Sequence, residues 1–118
     1  MIKMRLIIET IEVIGSKKSQ KFEALFDTGA DTNFISDRIS ADELGFKKYH
    51  QTYISVPTKC NSELGNTYIF NQLKILTAYV SDSEFISLKN IEYDVIIGVD
   101  VMQLLWLKLD MSADKILL

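Results

Sequence analysis

Cysteine is nearly absent. Cys60 stands alone among 118 residues, so no disulfide can form within the chain, and no Asn-x-Ser/Thr acceptor occurs either. Neither fact points to secretion. Proline occurs once and glycine five times, and no Pro- or Gly-rich stretch divides the chain, which reads as a single domain over residues 1–118. Basic residues are not in excess: the formal charge is −3, and Lys and Arg are scattered apart from Lys17-Lys18 and Lys47-Lys48. A nucleic-acid partner would need a basic stripe, so none is expected, and the two pairs read as solvated turns. Long apolar runs are missing as well. Leu6-Ile7-Ile8 stops at Glu9, too early for a signal segment or a membrane span. The expectation is a cytoplasmic chain, or a domain released from a longer precursor, with no membrane partner. A single His and a single Cys make a zinc site improbable.

What the chain does have is apolar material, 47% of its residues, enough for one well-filled core. Its order along the sequence is that of many short strands. Residues 4–14 are rich in β-branched side chains and read as a strand, 15–20 as a polar loop, and Phe22 to Phe26 as the second strand of a hairpin. Asn33 to Ser36 is a short extended piece. A brief helix capped by Ser36 or Asp37 is expected through Leu44, with Gly45 as its stop. His50 to Val56 reads as a strand, 57–66 as an exposed turn region, and Thr67 onward as a returning strand. Leu73 to Val80 and Phe85 to Leu88 follow as separate strands around a turn at 81–84. Tyr93 to Gly98 forms an almost wholly apolar strand, Val99 to Leu105 a short helix, and 106–110 with 115–118 a closing hairpin. This spacing predicts an all-β, barrel-like domain with one or two short helices.

One turn carries chemistry. Asp27-Thr28-Gly29 follows the apolar strand ending at Phe26 and so places a carboxylate at a strand tip. Gly29 lets a backbone N–H approach that carboxylate, and the Thr28 hydroxyl can bond back to the main chain. A calcium loop does not fit the same residues. Asp27, Asp31 and Asn33 occupy its first, fifth and seventh positions, but Thr32 stands at the sixth, where Gly is needed, and Arg38 at the twelfth, where a Glu is needed.

The second motif is Asp94-Val95-Ile96-Ile97-Gly98-Val99-Asp100. Together with Ala24-Leu25-Phe26-Asp27-Thr28-Gly29-Ala30-Asp31, and with a long hairpin between them, it resembles the retropepsin-type aspartic proteases. That resemblance implies a retropepsin-like closed or partly open β-barrel that is half of an enzyme, with Asp27 supplied by each of two identical chains. The sequence agrees independently: Asp-Thr-Gly occurs once, so a two-carboxylate site needs a second copy, and a two-fold dimer is the commonest way to provide one. The implied activity is hydrolysis of a peptide or protein substrate by a water held between the two carboxylates, without metal or cofactor.

The resemblance also assigns roles. Thr28 would bond across the two-fold axis, and Gly29 would carry substrate or carboxylate hydrogen bonds. Ala30 stands where larger relatives have a hydroxyl that stabilises the ionised Asp, which implies a working pH nearer neutral. Asp31 matches a position that binds peptide backbone, but Val99 replaces the Arg that retroviral members pair with that acid, leaving Arg5 or Arg38 as possible partners. The hairpin after Val56 and Pro57 corresponds to the flap, with those two residues assigned to substrate. Lys115 to Leu118 and the first strand are candidates for the dimer interface, and Trp106 for core or dimer contact. The rival readings are a catalytically inactive module that keeps the fold for dimerisation, and a domain that only holds peptides. Pairing Cys60 with His50 as nucleophile and base has no orienting motif behind it.

Overall fold

In the computed structural model, residues 6–55 and 62–118 are described. Strand β1 (Ile7–Ile14) buries Ile7, Ile11 and Val13, and pairs antiparallel with β2 (Ser19–Phe26) in an unbroken register from Ile7 opposite Phe26 to Ile14 opposite Ser19. Alternation alone explains this hairpin: Phe22, Ala24 and Phe26 of β2 turn to the same side as the buried residues of β1. A short strand β3 (Asn33–Ser36) follows, then helix α1 (Ala41–Leu44).

The helix is shorter than the sequence suggests and starts later. Ser40, not Ser36 or Asp37, is its cap, with the hydroxyl accepting from the Glu43 N–H at 3.3 Å. Ser36 is fully buried, and its hydroxyl accepts instead from the backbone and guanidinium nitrogens of Arg38. Gly45 ends the helix as expected, at φ 79°, a conformation that needs no Cβ.

Strands β4 (Lys48–Ser55) and β5 (Ser62–Ile75) form the long hairpin, in register from Lys48 opposite Ile69 to Ser55 opposite Ser62. The returning arm starts nearer the tip than composition predicted, at Ser62 and not Thr67, while the first arm begins two residues earlier, at Lys48. The tip, with Val56, Pro57 and Cys60, lies outside the described residues, as does Arg5.

The expected turn at 81–84 is absent. Strand β6 is continuous over Ala78–Leu88, and the chain reverses at Leu76 and Thr77. Ser81 and Glu84 look like turn residues because they are exposed positions of a strand, and Asp82 because it adopts φ 54° where the β5 register skips it, whereas Leu76 adopts φ 55° without any turn chemistry to announce it. Strand β7 (Val95–Ile97), helix α2 (Val99–Leu104) and the hairpin β8 (Lys108–Asp110) with β9 (Lys115–Leu117) complete the chain.

The main sheet closes on itself in the order β1-β2-β7-β3-β6-β5, with β5 returning to β1 through Ile75 opposite Ile11; β4 lies along the other end of β5. This is a six-stranded barrel, with a retropepsin-like all-β fold. The short β7 is the unusual member. It runs parallel to β2 and antiparallel to β3, although both come far earlier in the chain (β2 ends at Phe26 and β3 at Ser36, whereas β7 starts at Val95). Phe70 and Phe85 pack edge to face in the interior, ring centroids 5.7 Å apart, and α2 plugs the barrel with Val101 and Met102.

Candidate active site

Asp27 sits where β2 ends. Its N–H continues the parallel ladder by donating to the Ile97 carbonyl at 3.0 Å, and the chain then turns, the Ala30 N–H closing on the Asp27 carbonyl at 3.1 Å. Within this turn the Gly29 N–H donates to Asp27 Oδ1 at 2.8 Å, the contact expected of a glycine placed two residues after the acid. Asp27 is half-buried, Thr28 and Gly29 are exposed, and the Ala30 methyl faces inward. The carboxylate is therefore held by its own loop yet open to a ligand.

The second motif supports that loop from behind. The Val99 N–H donates to the Ala30 carbonyl at 2.8 Å. Gly98 lies so close that a Cβ there would fall 2.2 Å from the Thr32 carbonyl oxygen and 2.8 Å from that of Ala30. This is why glycine follows the two apolar residues: Ile97 fills the core, and the next residue must have no side chain for the loop to rest on it. Two side-chain links add to the backbone ones. The Thr32 hydroxyl donates to Asp100 Oδ2 at 3.3 Å, and Asp100 Oδ1 accepts the Val101 N–H at 2.7 Å. The buried Asn33 side chain accepts the Gly98 N–H at 3.0 Å and donates to the Glu84 carbonyl at 3.1 Å.

Two apolar grooves flank the acid. One, of about 360 Å³, is lined by Leu6, Leu25, Asp27, Thr28, Leu109 and Met111 among others. The other, about 530 Å³, runs from Thr28 along Val99, Met102, Trp106, Leu107 and Leu109. The strand registers add a further surface: Leu25 is opposite Ile96, Ile96 opposite Phe34, and Phe34 opposite Ile86, so these four share one face across β2, β7, β3 and β6. None of them belongs to the core cluster, so the face they share is the outer one, and it begins two residues before Asp27.

The sequence model of a family described as gag-polyprotein putative aspartyl protease matches residues 13–104. The chain belongs to this family. The match runs from β1 to the end of α2 and takes in both motifs described above, the Asp27 turn and the Ile96-Ile97-Gly98 support. A comparison with curated proteins finds no match.

Against this aspartyl protease framework, Asp27, Thr28, Gly29 and Ala30 occupy one turn, as the motif requires. Asp31 is exposed at the end of that turn. Arg38 is not its partner: it is engaged by Ser36, by the Ile91 carbonyl at 3.3 Å and by Asp94 at 3.9 Å. Val56 and Pro57 cannot be placed, since they fall outside the described residues. Trp106 is not a core residue, being 85% exposed with φ 57°. Among the described residues no group of three or more His, Cys, Asp or Glu could hold a metal ion, and no helix is long and apolar enough to cross a membrane.

Motif reading passed over Asn33, Asp100 and the outer row. Asn33 left a signal: it is polar, yet has the same strand parity as the buried Ile35. The outer row left none, because an apolar residue on the outer face of a strand looks the same in sequence as one in the core.

Proposed function

We propose that this protein is an aspartic endopeptidase whose active site is completed by a second copy of the chain. The observation that carries this reading is the tethered Asp27 turn resting on Gly98, a single acid presented open to solvent between apolar grooves. One acid per chain cannot act alone. Two Asp27 side chains across a two-fold axis would share one proton, because adjacent like charges do not both ionise readily. The ionised carboxylate takes a proton from the water between them as its oxygen bonds to the scissile carbonyl carbon. The protonated carboxyl gives its proton to the carbonyl oxygen. The tetrahedral gem-diol then collapses: the C–N bond breaks, the amine leaves with the proton held by the carboxyl that took it from water, and one hydroxyl of the diol returns its proton to the other carboxylate, leaving the carboxylic acid product and one proton on the pair.

The substrate is an extended peptide lying along Leu25, Ile96, Phe34 and Ile86, which favours apolar side chains next to the scissile bond. The β4–β5 hairpin covers it, with Val56, Pro57 and Asp31 contacting the peptide and Thr28 tying the two loops together. The second copy docks on the apolar rim that Leu6, Ile8, Leu104, Trp106, Met111 and Leu117 expose near the site and on the terminal strands.

A pool of diverse peptides incubated with wild type and with Asp27→Asn tests the reading. Cleavage by wild type alone is the expected result. Equal turnover by both proteins would refute Asp27 as the catalytic acid, and binding without any cleavage would mark a peptide-holding module instead.

A further inference from the structure

We infer that Asn33 is a positioning residue for the active-site turn, a peg through which the depth of Gly98 beneath Asp27, and with it the aim of the carboxylate, is set. The inference rests on the aspartic protease reading above for its kinetic part only.

Asn33 is 1% exposed, and a buried amide without partners costs free energy on the scale of a lost hydrogen bond or more. Both ends are satisfied, and neither partner belongs to its own strand. Its carbonyl oxygen takes the N–H of Gly98 and its NH2 reaches the Glu84 carbonyl, so one short side chain fixes the β7–α2 junction against β6 while its own backbone belongs to β3. No apolar residue can do this, and a polar residue of different length would draw or push the junction.

The junction lies against the catalytic turn. Gly98 approaches the Thr32 and Ala30 carbonyls too closely for any side chain, Ile97 receives the Asp27 N–H, and Val99 donates to Ala30. A few tenths of an ångström lost at Gly98 therefore passes to both ends of the turn that carries Asp27. The Gly98 N–H, at the start of α2, is among the groups the helix itself leaves unpaired, and Asn33 is the side chain that takes it. Asn33 does not touch the groove surfaces that flank Asp27, so its effect on the reaction passes through Gly98 alone.

The test uses the full chain and Asn33→Leu, which keeps the branched outline of the side chain, at a somewhat larger volume, and removes both hydrogen bonds. In the folded variant kcat should fall about 10- to 100-fold while KM changes by less than about threefold, because peptide contacts remain and only the aim of the acid is lost. Amide exchange at Gly98, Val99 and Asp27 should quicken by a similar factor relative to core amides such as Phe85. Should the Leu variant fail to fold, Asn33→Thr, whose shorter side chain leaves one of the two bonds unmade, carries the same readouts with a smaller expected effect, about fivefold. Unchanged kcat together with unchanged exchange in a folded variant overturns the inference. If wild type proves to have no turnover, the proposed activity fails, and the exchange measurement alone decides whether Asn33 holds the turn.

Discussion

At the scale of single residues, Gly98 makes the strongest demand. Its missing side chain is the space in which the Thr32 and Ala30 carbonyls lie, so Gly98→Ala must push the Asp27 turn outward. Roughly 1–3 kcal/mol of stability should be lost, as for other overpacked sites, together with nearly all activity; urea unfolding and peptide cleavage measure the two. Ala30 gives a milder test. It brings a methyl to the inner side of the turn where a hydroxyl would fit, so Ala30→Ser is expected to extend activity toward lower pH, and an unchanged pH–rate profile would count against that role. Both glycines of the site were legible in sequence because a residue type forced by backbone approach leaves a fixed mark beside the residue it serves. For Asn33 only its burial was legible, from its parity with Ile35; its role was not, since its two partners, Gly98 and Glu84, are far away along the chain.

At the scale of elements, strands with clean alternation were readable and reversals were not. The β1–β2 hairpin follows directly from buried Ile7, Ile11, Phe22 and Phe26, whereas the β5–β6 reversal at Leu76 has neither Gly nor Asn to mark it. Leu76 holds φ 55°, which disfavours a branched apolar side chain, so Leu76→Asn is expected to raise stability by about 0.5 kcal/mol in thermal or urea unfolding. The β8–β9 hairpin is pinned by a different device. Asp110 Oδ1 accepts from the Ser112 hydroxyl at 2.6 Å and from the Ser112 and Ala113 N–H groups, and these bonds, the hydroxyl's foremost, hold its carboxyl below the ordinary carboxylate range. A depressed value means that the ionised form supports the fold: the contribution is present above the unfolded carboxylate's pKa and is lost as pH falls through the lower folded one. Protection of the Ser112 and Ala113 amides, taken relative to their intrinsic exchange rates, should therefore fall in acid, and Asp110→Ala should abolish that pH dependence.

At the scale of the whole molecule, the all-β barrel was legible from the number and spacing of short strands, and the family from two motifs that the fold brings into contact. The order of the strands was not, because pairing β7 with β2 and β3 depends on which hydrophobic edges meet in space. The apolar rim belongs to this scale. Trp106, Leu104 and Met111 are exposed, and under the proposed function they are the surface that a second copy covers. Trp106→Lys is expected to weaken self-association by at least tenfold, read by sedimentation over a range of concentrations, while the fold seen by circular dichroism is unchanged. A wild-type chain that stays monomeric at every concentration would remove the basis for a shared site.

The insertion of β7 between two much earlier strands has a consequence in time. During synthesis the Asp-Thr-Gly turn emerges early, and its β1–β2 hairpin can pair at once, yet the Ile97 carbonyl, Gly98 and Val99 that seat Asp27 arrive only near the end. A nascent chain that has reached Glu92 holds the acid without its support. Contacts so distant in sequence form late. Asp27 is thus seated only when β7 closes the barrel, which couples order at the proposed catalytic acid to completion of the fold.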